Sequence, residues 1–251
     1  MNLVKTTPTI SKIEKPANIL AFDKVNPTLF LVDLDSKTGQ IKAGGEHFSG
    51  FSNFTTFGNF AYFLKPGDGI FQLSLETGEL KKVIGANTNW GEILDLTSFA
   101  GNLYLLDGNK TQIWKYTGTG QGFGDVRGFI SSPPSVDFSN STFTIDGFIW
   151  VLSGDGKIYQ VTPAESKTIE ISGLDKPLSG KTILRTNAEA ENLYVADLGN
   201  ARILVIGKSG LYLAQYTSGV FGTLSDFAVD EKEGKVYFAQ GSKVFQFDLV
   251  K

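Results

Sequence analysis

Residues 192–216 read NLYVADLGNARILVIGKSGLYLAQY and contain three apolar segments separated by two polar turns. The segments are NLYVAD, ILVI and LYLAQY, and the turns carry Gly199, Asn200 and Gly210. Short apolar runs bounded by Gly and Asn are typical of antiparallel strands joined by tight turns. This stretch therefore predicts most of one small antiparallel sheet.

The ILVI segment is one of six copies of a four-residue apolar motif, spaced 41, 43, 45, 45 and 41 residues apart. A second apolar strand lies about ten residues before each copy, a third precedes that pair, and a fourth follows it. Four strands in each repeat, six times over, predict an all-β, six-bladed β-propeller with four-stranded blades. The motifs are LFLV at Leu29, IFQL at Ile70, IWKY at Ile113, IYQV at Ile158, ILVI at Ile203 and VFQF at Val244.

The repeats fill the chain, so residues 1–251 are expected to form one propeller domain. The sixth repeat lacks its fourth strand, and the spare residues lie at the start of the sequence. We therefore expect residues 2–7 to complete the last blade and close the ring, which would cover two sheet edges. The expected blades are residues 8–45, 50–85, 92–130, 135–172, 181–216, and 223–251 together with 2–7.

The fifth repeat resembles the NHL repeat, whose pattern is roughly N-x-Y-V-A-D-x-G-N-x-R-I-x-V-x-x-x-x-G. Asn192, Asp197, Asn200 and Arg202 fall on the pattern, and residues 225–239 are similar to its first half. The other repeats keep the strands and lose the D-x-G-N-x-R-I core. The resemblance implies a binding module, such as a bacterial sensor domain or an RNA- or protein-binding domain. Related six-bladed propellers include metal-dependent lactonases and lyases, so the fold does not select the function.

Composition argues against several classes of function. The net charge of −3 and the lack of a basic cluster disfavour nucleic acid as a partner. The chain has no cysteine, and His47 is its only histidine, in a Gly-rich segment. This excludes thiolate chemistry and His-rich zinc sites, and no G-x-S-x-G motif accompanies the histidine. No apolar run reaches the roughly 18 residues of a membrane span, so no membrane insertion by this segment is expected.

Alignment of the first strands predicts a polar column at the mouth of the central channel. Three carboxylates, an amide and a guanidinium there would form a polar ligand socket or a cation site, with calcium the cation to test. The alternative is structural, with each Asp capping loop N–H groups and the Arg balancing charge. The column consists of Ser11, Asn53, Asp95, Asp137, Arg185 and Asp226.

Large apolar residues fall in the loops between blades. Exposed aromatic side chains on a loop-rich face suit protein, peptide or glycan recognition. The alternative is that they fill gaps between blades. These residues are Phe48, Phe51, Trp90 and Phe221.

These observations favour a non-catalytic, monomeric binding domain of a longer protein, a sensor or interaction module without a catalytic or metal site. An extracytoplasmic domain of a membrane-anchored protein is favoured, although nothing in the sequence fixes the compartment or the partner. The alternative is a calcium-dependent propeller hydrolase or lyase built on Asn53, Asp95, Asp137 and Asp226.

Overall fold

The computed structural model describes residues 9–13, 18–131 and 136–250, and for residues 9–13 it describes the backbone alone. These residues form six antiparallel sheets of three or four strands, each strand paired with its neighbour in sequence. The predicted six-bladed β-propeller is therefore confirmed. The expectation that residues 2–7 complete the last blade lies outside the described residues.

The first three sheets each contain four strands. The first comprises β1 (Thr9–Ile13), β2 (Asn18–Asp23), β3 (Thr28–Asp33) and β4 (Thr38–Gly44). The second comprises β5 (Phe54–Phe57), β6 (Phe60–Lys65), β7 (Gly69–Ser74) and β8 (Leu80–Gly85). The third comprises β9 (Ile93–Phe99), β10 (Asn102–Asp107), β11 (Gln112–Thr119) and β12 (Gly122–Gly128).

The last three sheets follow the same order along the chain. The fourth comprises β13 (Thr142–Ile145), β14 (Ile149–Leu152), β15 (Ile158–Val161) and β16 (Ser166–Ile169). The fifth comprises β17 (Thr182–Arg185), β18 (Asn192–Asp197), β19 (Arg202–Gly207) and β20 (Tyr212–Thr217). The sixth comprises β21 (Asp226–Asp230), β22 (Lys235–Gln240) and β23 (Lys243–Asp248). Two short 3-10 helices, η1 (Glu46–Phe48) and η2 (Gly219–Thr223), lie in connections between sheets.

The second strand of a blade carries the most buried side chains. Every residue of β2 is buried, and so are the five residues of β18 that follow Asn192. Such a strand has a paired neighbour on each edge and a packed layer on each face, so it is apolar along its length instead of alternating. These continuous apolar runs are what made the repeat visible in the sequence.

The chain divides into two compact units. The first contains Met1–Asn87, Leu224–Ala228 and Lys235–Lys251, and the second contains Thr88–Thr223 and Val229–Gly234. In the first unit, Phe22, Phe63 and Leu29 belong to one apolar cluster that joins the first two sheets. In the second unit, Trp150 and Leu204 belong to a cluster that joins the fourth and fifth sheets. Adjacent blades therefore share apolar cores within each unit.

Candidate functional site

In residues 192–216, which resemble the NHL repeat, Arg202 is the centre of a buried hydrogen-bond network, named here the Arg202 lock. The Nε of Arg202 donates to Oδ2 of Asp197 over 2.8 Å, and its Nη1 donates to Asp175 over 2.7 Å and to Gln215 over 3.1 Å. A further bond runs from Nη2 to the carbonyl of Lys176 over 2.6 Å. The hydrogen bond from Arg202 holds the pKa of Asp175 below its ordinary value. These hydrogen bonds fix the connection before β17. Asp197 and Arg202 are both buried, so they are not available to a ligand.

In other blades too, a buried Asp at the end of the second strand fixes the following turn by accepting hydrogen bonds. Asp23 accepts from the backbone N–H groups of Val25 and Asn26, over 2.9 and 3.0 Å. Asp107 accepts from the backbone N–H of Lys110 over 3.0 Å and from the indole of Trp114 over 2.8 Å. At a turn the backbone N–H groups lose the carbonyl partners that they would have in a strand. A carboxylate that accepts several of these N–H bonds takes the place of those carbonyls. These acidic residues are structural.

The predicted polar column does not hold its residues at one level. Asp95 pairs with Leu106, the fifth residue of β10, whereas Arg185 pairs with Tyr194, the third residue of β18. Two residues along a strand correspond to roughly 7 Å. Arg185 therefore lies deeper along its blade than Asp95 does, and its Nη1 donates to the carbonyl of Leu184 over 2.9 Å.

Asp137 is outside the first strands altogether, because β13 begins only at Thr142. The alignment that placed Asp137 in a strand is wrong, since the connection after β12 is longer than the others and displaces the repeat. Its carboxylate accepts from the hydroxyl of Ser139 over 2.6 Å and from the backbone N–H of Ser139 over 2.8 Å. The hydroxyl bond holds the pKa of Asp137 below its ordinary value. Asp137 therefore shapes its own turn.

The remaining members of the column also have nearby partners. Asn53 accepts from the ammonium of Lys24 over 3.4 Å, and Asp226 accepts from the backbone N–H of Phe227 over 2.8 Å. Asp95 accepts from the backbone N–H of Leu96 over 2.9 Å. In the described part of the chain, no three acidic or histidine side chains come together as metal ligands.

Three of the four loop aromatics are buried, so the expectation that they are exposed is wrong. Phe48 and Phe51 are each 3% exposed, and Phe221 is 5% exposed. Phe48 ends η1, Phe221 lies within η2, and both short helices turn the ring inward. The ring of Phe51 stacks on that of Phe63 at 5.2 Å. These residues fill the core, as the alternative interpretation of the sequence held.

Trp90 differs from the other three because it is half-buried. It lies in the connection between β8 and β9, and its indole meets the ring of Tyr116 edge-to-face at 6.2 Å and 86°. The indole N–H is buried and has no hydrogen-bond acceptor. A buried donor without an acceptor costs about 1–3 kcal/mol, so packing alone does not favour a tryptophan here.

The backbone around Trp90 is fixed by the neighbouring turn. The N–H of Gly91 donates to Oδ2 of Asp107 over 2.6 Å, and the N–H of Gly108 donates to the carbonyl of Glu92 over 2.9 Å. A Cβ at position 91 would lie 2.7 Å from Oδ1 of Asp107, so this close approach requires glycine. These two hydrogen bonds were not predicted, although the sequence shows a Trp-Gly pair before β9 and an Asp-Gly turn after β10. We name Trp90, Asn109 and Lys110 the Trp90 surface, and the buried ring of Tyr116 packs against the indole of Trp90.

Within the described residues, no helix is both long and apolar enough to cross a bilayer. No protein-family model and no curated protein sequence matches this chain. Its similarity to known proteins is therefore seen in the fold.

Solved structures resemble the chain over most of its length. A structure of a nidogen/laminin complex aligns with a TM-score of 0.66 and 14% identity, over 90% of this chain and 85% of that chain. A streptogramin B lyase aligns with a TM-score of 0.61 and 15% identity, over 94% and 76%. Regucalcin from Agrobacterium tumefaciens, a calcium-binding protein, aligns with a TM-score of 0.59 and 16% identity, over 97% and 84%. These TM-scores show the propeller fold. Because the identities are low, binding and enzymatic functions both stay open.

Proposed function

We propose that this chain is a non-catalytic, NHL-like binding propeller whose ligand is a protein or peptide, recognised at the Trp90 surface. The observation that carries the proposal is a half-buried tryptophan on a backbone that two hydrogen bonds hold in place. Tryptophan is enriched among the residues that dominate binding energy, and a preordered anchor loses little conformational entropy when it binds.

The surroundings of Trp90 suit a peptide or protein surface. Asn109 and Lys110 are exposed and approach Gly91, the residue that follows Trp90, so polar groups lie near the aromatic anchor. An apolar centre with a polar rim is the usual composition of a protein–protein interface. Lys110 favours a partner that carries an acidic residue next to its apolar contact.

The test begins by identifying the partner with a photo-crosslinking amino acid at position 110. The same crosslinker at position 42, an exposed lysine on β4 in the other unit, is the matched control. The affinity of the purified partner is then measured for the natural chain, for Trp90→Ala and for Val25→Ala, since Val25 is 71% exposed on another turn. We expect at least a tenfold loss for Trp90→Ala and no change for Val25→Ala, because truncating an interface anchor costs about 2 kcal/mol or more. Equal affinities of the natural chain and Trp90→Ala would reject the proposal that the partner binds at the Trp90 surface. A glycan captured in place of a protein would reject the proposed class of partner.

A second candidate function is a calcium-dependent hydrolase or lyase. It is favoured by the similarity of the fold to regucalcin and to streptogramin B lyase. Its residues would be Asn53, Asp95 and Asp226, with Asp137 less suited because both its oxygens bond to Ser139. Calcium titration separates this function from the first.

A further inference from the structure

The hairpin between β5 and β6 carries two exposed phenylalanines. Phe57 is 48% exposed and Phe60 is 36% exposed, and the two residues pair across a two-residue turn, Gly58-Asn59. Residues that are directly opposite in an antiparallel ladder have their side chains on the same face of the sheet. A single exposed apolar residue is ordinary, whereas a contiguous apolar patch points to an interaction site. The two rings form such a patch.

The hairpin turn is held against the next turn of the same sheet. The backbone N–H of Leu75, which follows β7, donates to the carbonyl of Asn59 over 2.9 Å. The φ of Gly58 is 57°, in the left-handed region that glycine adopts at little cost. An anchor on an ordered turn loses little conformational entropy when a partner binds, so the two rings are suited to binding.

The two phenylalanines belong to a row of residues that crosses the second sheet. Phe60 pairs with Ser74 on β7, and the next residue across is Glu79, whose carbonyl accepts from the N–H of Ser74 over 2.9 Å. The side chains of this row therefore share one face of the sheet. Since neighbouring strands are about 4.8 Å apart, the backbones of Phe60 and Glu79 are roughly 10 Å apart, with the small side chain of Ser74 between them. We name Phe57, Phe60, Ser74 and Glu79 the Phe60 surface.

The charge at this end of the sheet is mainly acidic. Glu76 and Glu79 are exposed at the turn between β7 and β8, and neither forms an ion pair within the described residues. Lys81 is exposed on β8, where it pairs with Gln72 in the row next to that of Glu79. Two carboxylates thus lie near one ammonium group. This excess of negative charge favours a cationic partner over an anionic one.

We propose that the Phe60 surface binds a segment of a partner protein in which a lysine or arginine lies beside an apolar residue. The apolar side chain contacts the rings of Phe57 and Phe60. The methylene stem of the basic side chain lies over Ser74, and its charged group lies between the Phe60 ring and the carboxylate of Glu79. This surface is separate from the Trp90 surface and prefers the opposite charge, so the inference goes beyond the proposed function.

The probe is the synthetic peptide Gly-Lys-Phe-Lys-Leu-Gly. The control peptide, Gly-Glu-Phe-Glu-Leu-Gly, keeps the length and the apolar residues and reverses the charge. Each peptide is titrated into the isotope-labelled full chain, and NMR follows the backbone amide signals of Gly58 and Asn59. We expect saturable shifts of both signals with the basic peptide, weaker binding of it at high salt, and no shifts with the acidic peptide.

Variants separate the apolar and the charged contacts. Phe60→Ala should weaken binding of the basic peptide at least about fivefold, as expected for an aromatic interface anchor. Phe148→Ala should not, and it is the matched control because Phe148 is 54% exposed beside a hairpin turn in the other unit. Glu79→Gln should weaken binding about two- to fivefold, the usual worth of an exposed ion pair, and Lys81→Gln should not weaken it. Trp90→Ala should also leave it unchanged, so this proposal and the Trp90 surface fail separately.

Four results would overturn the proposal. The first is no saturable shift with the basic peptide, and the second is equal binding of the acidic one. The third is an unchanged affinity in a folded Phe60→Ala chain. The fourth is a shift of the Gly58 and Asn59 signals with protein concentration when no peptide is present, which would assign the rings to contact with a second copy of the chain.

Discussion

The Nε of Arg202 lies 2.8 Å from Oδ2 of Asp197, and both side chains are almost completely buried. The guanidinium also bonds to the connection before β17, so one side chain joins a strand end to the preceding blade's last loop. The most recognisable part of the sequence is thus a structural lock.

Arg202→Met should lower the free energy of unfolding by about 3–5 kcal/mol, because it leaves the buried carboxylate of Asp197 without its cation. Urea denaturation measures the change. Lys157→Ala is the control, since its pair with Asp155 is half-exposed and should contribute less than about 1 kcal/mol. Equal effects of the two substitutions would show that the lock adds no stability.

Phe51→Ala should destabilise the chain by about 3–5 kcal/mol, the usual cost of truncating a buried phenylalanine. The matched control is Phe57→Ala, because Phe57 is 48% exposed at a hairpin turn and should change stability little. Thermal or urea unfolding gives both values. A small effect at Phe51, together with a loss of partner binding, would restore the earlier expectation of an exposed binding residue.

Alkaline stability should depend on Tyr194. Burial, reinforced by a 2.8 Å hydrogen bond from its hydroxyl to Glu231, raises the pKa of Tyr194 well above its ordinary value. The unfolded chain releases this proton near pH 10 and the folded chain does not, so stability is full below pH 10 and falls as the pH rises beyond it. Tyr194→Phe should make the fall between pH 9.5 and about pH 11 shallower, measured by urea unfolding at each pH. An identical slope would mean that Tyr194 titrates normally.

Calcium at millimolar concentration should leave the melting temperature unchanged relative to EDTA. The acidic residues of the predicted column are engaged in local hydrogen bonds, and in the described chain they form no group of ligands. A cation present at 100 times its dissociation constant would instead stabilise the fold by about 2.7 kcal/mol. Such a rise, specific for calcium and lost in Asp226→Asn, would favour the hydrolase or lyase.

The sequence predicts the blades well because the middle of each second strand is continuously apolar and most turns carry Gly, Asn or Asp. The contact of Asp197 with Arg202 is also local, since the two residues face each other across one hairpin. The sequence does not predict the burial of Phe48 and Phe221, because each depends on a 3-10 turn in a connection that has no repeat. The prediction that Asp137 lies in a first strand is wrong for a similar reason, since the spacing of the repeats does not indicate where a long connection adds residues.

Substitution of Trp90 tests the proposed binding function. Trp90→Phe removes the unsatisfied indole N–H, so it should lower the free energy of unfolding by no more than about 1 kcal/mol. The most direct measurement is the affinity of the crosslinked partner for the natural chain, Trp90→Phe and Trp90→Ala, with unfolding measured on the same samples. The proposal predicts that both variants stay folded and that Trp90→Ala binds at least tenfold more weakly. An unchanged affinity in a folded Trp90→Ala chain would contradict it.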